Sequence, residues 1–191
     1  AGDAVAYRLG DRIPLGVGST RWAHPLASQM LETQGWHGAE DDGRWIMGRE
    51  GSFALRLHEA PEEPIAIGIV FSVPGELIDS RPEGVTVSLS LNGYEIARET
   101  CHSGAIESLV APIPPGLMEG VDRTLRFTIA ADSDCVPYQL SNALKDDRRL
   151  SVFVREIIVS SRESLSALGN SSRLYQLGQV IRFGAEPIES E

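Results

Sequence analysis

The sequence predicts an all-β chain, an antiparallel β-sandwich with one or two short helices, and three observations carry that expectation. Apolar and polar residues alternate with period two in short bursts, the mark of strands with one buried face. The bursts are separated by clusters drawn from 19 Gly and 11 Pro, the residues that end strands and turn the chain. Phe, Trp and Tyr make up only 6% of the sequence, so Val, Ile and Leu carry the packing, a bias that favours sheet. With 191 residues, 42% of them apolar, the chain can bury a core without metal or disulfide staples.

In chain order, residues 25–32 have the length for about two helical turns, with Pro25 at an early position where its missing N–H costs nothing. Phe53, Leu55 and Leu57 alternate with Ala54, Arg56 and His58 as a strand. Residues 65–71 are almost continuously apolar, as in a central strand covered on both faces. Val85, Val87, Leu89 and Leu91 alternate with Thr86, Ser88 and Ser90. Asn92-Gly93 follows, the dipeptide that best accepts a type I′ turn, and Tyr94 and Ile96 begin the returning strand. Residues 111–120 hold Pro112, Pro114 and Pro115 and are expected to be a long loop, because three positions lack an amide donor. Leu125, Phe127 and Ile129 make another half-buried strand. Residues 150–159 alternate until the phase slips near Glu156 and Ile157, where a bulge would account for it. Residues 163–168 can form one helical turn, and the Ser, Arg and Glu content of 160–172 reads as a connector.

These readings give a sandwich over residues 1–160, a linker over 161–174 and a C-terminal strand over 175–191. The two ends resemble each other: Tyr7, Leu9, Gly10, Ile13 and Gly16 recur in the same spacing as Tyr175, Leu177, Gly178, Ile181 and Gly184. The separation is a whole domain rather than a solenoid period. The tail is either the first strand of a second copy or an edge strand of this one, and an exposed edge can pair with another chain.

Charge narrows the partners. Lys and Arg total 17 against 27 Asp and Glu, a net charge of −10, which repels nucleic acid and anionic lipid. No apolar run is long enough to span a bilayer and the first residues lack a signal-peptide pattern, so a cytoplasmic location is expected. Cys101 and Cys135 show no C-x-x-C spacing; they read as buried free thiols in a reducing compartment, a cross-strand disulfide being the alternative.

Signatures of catalysis fail. G-x-S-x-G, H-E-x-x-H and the Walker loop are absent, and His24, His37, His58 and His102 share no ligand spacing. Asp132-Ser133-Asp134 reads as a turn between strands rather than a metal-bound nucleotide site, because no α/β nucleotide fold surrounds it. No cofactor and no metal site is expected.

The most distinctive segment runs from Gly35 and Trp36 through Glu40 and Gly43 to Trp45 and Gly48. Indole faces stack on sugar rings while a neighbouring carboxylate accepts hydroxyl hydrogen bonds; the competing reading is that both rings plug the open end of the sandwich. Asp146 and Arg148 either pair internally and pin a loop or present a bidentate fork to a ligand.

The G-W-x-x-x-E-x-x-G-x-W-x-x-G element resembles the signature of a β-sandwich accessory domain of bacterial glycosyltransferases and polysaccharide-biosynthesis proteins. Pro137 to Leu140, followed by Asp146, Arg148, Arg149, Leu150 and Val152, is similar to that family's P-x-x-L and D-x-R-R-L-G-V. Both ends of the chain resemble its Y-x-L-G-x-x-I-x-F-G strand. Here His37 to Ala39 stands where Ser and Pro are usual, Asp42 where an aromatic is common, and Ser151 where the family has Gly. The resemblance covers roughly residues 7–159. It implies a jelly-roll-like, carbohydrate-binding-module-like domain without catalysis of its own. Its partners would be a saccharide chain and a glycosyltransferase catalytic domain, with Trp36, His37, Glu40, Trp45, Tyr138, Asp146 and Arg148 as candidate ligand-binding residues. A structural role in oligomerisation or enzyme assembly, through residues 175–191, is the alternative.

Overall fold

The computed structural model describes residues 6–16, 31–118, 123–141 and 144–165. Among the described residues, eleven strands form two antiparallel sheets. The first holds β3 (Trp36–Ala39), β4 (Arg44–Met47), β11 (Leu150–Ser161), β6 (Ile65–Ser72) and β9 (Glu107–Pro112) in that order, with β1 (Arg12–Pro14) also pairing on β11. The second holds β2 (Leu31–Gln34), β5 (Glu50–Arg56), β10 (Thr124–Ala131), β7 (Val85–Leu91) and β8 (Tyr94–Cys101). Among the described residues, the short helices α1 (Gly75–Asp79) and α2 (Pro137–Leu140) lie in connections between strands. The all-β expectation therefore holds.

The alternation read from the sequence is the alternation of burial. Val85, Val87, Leu89 and Leu91 are buried while Thr86, Ser88 and Ser90 between them are only partly covered. They pack in one cluster with Phe53 and Phe127 of the same sheet, and with Ile67, Ile69, Val152, Val154, Ile157 and Val159 of the other. Phe53 and Phe127 stack with ring centroids 5.2 Å apart. The β7–β8 turn places Asn92 and Gly93 at φ of 50° and 84°, the left-handed pair a type I′ turn requires. The register between β11 and β6 shifts between Val154 and Glu156, so the phase slip is a bulge.

Three local expectations need correction. Residues 31 and 32 belong to β2, not to a helix; the rest of the expected helix over 25–32 lies outside the described residues. The expected loop over 111–120 begins later, because Ala111 and Pro112 close β9. Proline is tolerated there since β9 is an edge with β6 on one side only, and the loop proper contains a 3-10 turn at Pro115–Leu117. The expected connector from residue 160 starts inside the fold: β11 runs to Ser161, residues 162–165 are helical, and Leu165 is buried on Ala66 and Ile158. Leu165 thus covers part of the outer face of β6. The C-terminal strand expected over 175–191 lies outside the described residues.

The N-terminal repeat unit has a structural reason at each shared position but one. The Tyr7 amide donates to the Arg56 carbonyl at 2.7 Å and its carbonyl accepts from His58 N–H at 2.8 Å, tying it to the second sheet. Its hydroxyl crosses to the first sheet and accepts the Val159 N–H at 2.7 Å. Gly10, at φ +92°, donates to the Val159 carbonyl at 2.8 Å, Ile13 is fully buried, and a Cβ on Gly16 would lie 2.4 Å from the Asp41 carbonyl oxygen. Leu9, 39% exposed, makes no comparable contact among the described residues.

Candidate functional site

The segment with two tryptophans is a β-hairpin. β3 and β4 are joined by residues 40–43, with the Glu40 N–H donating to the Gly43 carbonyl at 2.8 Å. Two of its glycines are steric necessities: a Cβ on Gly35, which sits at φ +75°, would lie 2.2 Å from the Glu50 carbonyl, and one on Gly43 would lie 2.8 Å from the Phe153 ring.

Hairpin register decides where the indoles go. Trp36 is opposite Ile46, which is buried in the core, and Trp45 precedes Ile46 on the same strand. Side chains alternate along a strand, so the two rings lie on opposite faces of the sheet. Trp36 packs against the core, meets the Phe53 ring edge-on at 6.4 Å and donates its indole N–H to the Ser52 carbonyl at 2.8 Å. Trp45 lies on the outer face, 4.7 Å from the Phe153 ring of β11. Arg155, two residues beyond Phe153 and so on the same face, sits over the Phe153 ring at 5.0 Å and pairs with Asp42. Burial holds the Arg155 pKa below its ordinary value. The outer face of β4 and β11 therefore carries a continuous row of Trp45, Phe153 and Arg155.

A polar corner adjoins it. Arg148 grips the Asp146 carboxylate through Nε at 2.9 Å and Nη2 at 2.6 Å, and its Nη1 donates to Glu40 Oε1 at 2.7 Å. The hydrogen bond from Arg148 holds the Asp146 carboxyl below the usual carboxylate range, and the same pairing drives the guanidinium pKa upward. His37 donates Nε2–H to the Arg149 carbonyl at 3.1 Å, since a carbonyl can only accept. The Tyr138 amide donates to the Asp146 carbonyl at 2.9 Å, while its side chain is 55% exposed. His37, Glu40, Tyr138, Asp146 and Arg148 are thus linked around one stretch of backbone. Trp45 lies on the neighbouring outer face and Trp36 faces away, into the core.

Sequence reasoning missed the residues that adjoin this corner. Met47, 52% exposed, is paired with Leu150. Asp134, in the connection after β10, receives Arg149 Nε at 2.5 Å and Arg49 Nε at 3.4 Å. Arg149 already stood within the D-x-R-R-L pattern and Asp134 read only as part of a turn; Arg49 carried no signal, because chain separation hides its contact with Asp134. Among the described residues no group of three or more His, Cys, Asp and Glu is placed to hold a metal ion, and no helix is long and apolar enough to cross a membrane. Cys101 and Cys135 are free and buried, and burial pushes both thiols up to about 11.

No family model matches this chain, and no curated protein matches it. Among solved structures it is similar to the carbohydrate-binding module CBM36 in complex with calcium and xylotriose, at 14% identity over 70% of this chain and 96% of that one, with a TM-score of 0.41. It is also similar to the C-terminal CBM6 of LamC, a marine laminarinase from Zobellia galactanivorans, at 11% identity over 79% of this chain and 98% of that one, TM-score 0.41. A family 29 carbohydrate-binding module matches at 12% identity over 68% of this chain and 79% of its own, TM-score 0.36.

Proposed function

We propose that the chain is a non-catalytic carbohydrate-binding or positioning module that works with a bacterial glycosyltransferase in polysaccharide biosynthesis. The observation that carries the binding reading is the outer-face position of Trp45 beside the polar corner. An indole held on a sheet face by Phe153 offers a C–H stacking surface at little entropic cost, and His37, Glu40, Asp146, Arg148 and Tyr138 supply hydrogen-bonding groups close by. Trp36 supports the hairpin from inside. The glycosyltransferase partner rests on the motif resemblance. Two free thiols suit a reducing compartment, in keeping with a cytoplasmic location.

Glycan-array binding followed by calorimetry with fragments of the producing organism's own polysaccharide tests the reading. Trp45→Ala should lower affinity at least about tenfold, the loss of one aromatic contact of roughly 1.4 kcal/mol, with the melting temperature used to confirm folding. Absence of binding to any saccharide would refute the binding role.

A second reading is favoured by one observation: the residues shared between the two ends include those for which Tyr7, Gly10, Ile13 and Gly16 have structural reasons. Residues 175–184 then carry what a sandwich of this kind demands of its opening strand, and would serve a second copy or the edge of a neighbouring chain. Removing residues 173–191 and measuring mass by light scattering tests the assembly form of this reading, which an unchanged oligomeric state would overturn.

A further inference from the structure

Asp134 is the meeting point of two guanidiniums. Its side chain is 6% exposed, while those of Arg49 and Arg149 are 58% and 65% exposed. Arg149 turns its Nε and Nη2 edge to the carboxylate, at 2.5 Å and 3.4 Å, and Arg49 contributes Nε at 3.4 Å. Elsewhere the paired arginines have at least one acid each: Arg12 has Glu156, Arg81 has Glu83, Arg98 has Glu95, Arg155 has Asp42, and Arg148 has both Glu40 and Asp146. Two guanidiniums sharing one nearly buried carboxylate leave a surplus positive charge at the surface of a chain whose net charge is −10. One carboxylate cannot occupy the donors of two planar forks, each with five N–H groups.

The position of the pair matters as much as its charge. Arg49 follows Gly48 in the tight β4–β5 turn, and the Gly48 N–H donates to the Arg149 carbonyl at 3.0 Å, so the turn and the start of β11 are bonded together beneath the two side chains. Exposed Met47 comes next along β4, and Trp45 two residues before it. At about 3.3 Å per residue the row from Trp45 to Arg49 is at most roughly 13 Å long, a span that takes a short oligosaccharide. His37 is bonded to the same Arg149 carbonyl.

We propose that Arg49 and Arg149, aligned by Asp134, form a subsite for the carboxylate of an acidic sugar, so that the module's ligand is a uronate-bearing saccharide. The inference rests on the saccharide-binding reading for its ligand class, and on the geometry of the pair for its charge. Carboxylate is the committed anion because guanidinium forks match it bidentately, as Arg148 does with the Asp146 carboxylate in this same chain.

The test uses the full chain and a matched probe pair: oligogalacturonate and its methyl ester, which share every ring and differ in charge. At low salt the acid form should bind at least tenfold more tightly than the ester, and the preference should fall as salt rises. The double variant Arg49→Gln/Arg149→Gln should lose the preference while keeping the wild-type affinity for the ester. A sulfated neutral oligosaccharide of equal length should bind less tightly than the acid form; equal or tighter binding would overturn the choice of carboxylate. Equal affinity for acid and ester in the wild type, or a preference that survives in the double variant, would overturn the subsite. Nuclear magnetic resonance of the arginine Nε–H groups separates this from failure of the module reading. Monomeric galacturonate should shift both signals and its methyl ester neither, whether or not longer chains bind; the absence of any shift overturns the proposal.

Discussion

Tyr7→Phe isolates a single hydroxyl that joins the two sheets. Tyr7 is buried, its backbone pairs with residues 56 and 58 beside the second sheet, and its hydroxyl accepts the Val159 N–H in the middle of the first. Where a continuous β1 would supply a carbonyl, the chain instead turns through Gly10, which donates to the Val159 carbonyl. In the Phe variant that carbonyl therefore keeps its partner, but the fully buried Val159 amide loses the acceptor it has here. An orphaned buried donor costs about 1–3 kcal/mol, and the Tyr7 hydroxyl also bonds the Asp11 carbonyl, which orders the approach to β1. We expect a loss of about 2 kcal/mol, a fall in melting temperature of roughly 4–8 °C for a domain of this size. Urea denaturation with an unchanged slope is the assay, because the substitution removes no apolar contact and should alter the midpoint alone. A loss below about 0.5 kcal/mol would refute the claim that the hydroxyl stands in for a missing ladder acceptor.

Other perturbations test other parts of the fold. Glu156 is held above the ordinary glutamate range chiefly by burial, with Arg12 at 3.4 Å opposing weakly. Its ionisation therefore lowers stability as pH rises from about 4.3 through the raised value, and Glu156→Gln should melt higher than the wild type at pH 8 but not at pH 4. Arg148→Gln should cost up to about 1 kcal/mol at pH 7, discounted for partial exposure. Because the Asp146 pKa is depressed, the contribution of that pair is present above about pH 4 and lost as pH falls through the depressed value; urea midpoints across that range read it. Cys101 and Cys135, buried with thiols near 11, should resist iodoacetamide at pH 8 and label only as the chain unfolds.

How legible each element was follows from its length and its position. β5, β6, β7, β10 and β11 are seven residues or longer and lie inside their sheets, so alternation or continuous burial marks them. β1, β2, β3 and β4 have three or four residues each, too few for a period of two to stand out. β9 alternates in burial but ends in Pro112, and the prolines after it concealed the strand. In the site, the Asp146–Arg148 pair was readable because the two stand two residues apart. Glu40, separated from Arg148 by 108 positions, became their partner only through the β3–β4 hairpin. Arg155 shares the face of Phe153 by ordinary alternation, and the bulge beyond Val154, which the sequence located, resets the phase so that Ile157 and Val159 return to the core.

The signature residues divide according to how much of their bonding capacity the scaffold takes up. Gly35 and Gly43 are fixed by close approaches, Trp36 by the core and Ser52, and Glu40, Asp146 and Arg148 by one another. A motif made of such residues would recur wherever this hairpin folds, whatever the domain binds, so it identifies a scaffold and is silent about a ligand. Trp36→Ala would abolish any ligand binding by damaging the core, and its loss would say nothing about contact with sugar. The residues that retain the most unspent chemistry stand beside the motif or on its outward face: Trp45 with its ring on the outer face of the first sheet, Met47 and Tyr138 exposed, Arg49 and Arg149 sharing one carboxylate. Substitutions there leave the hairpin's internal bonds in place, so a change in affinity at those positions reports on the ligand itself.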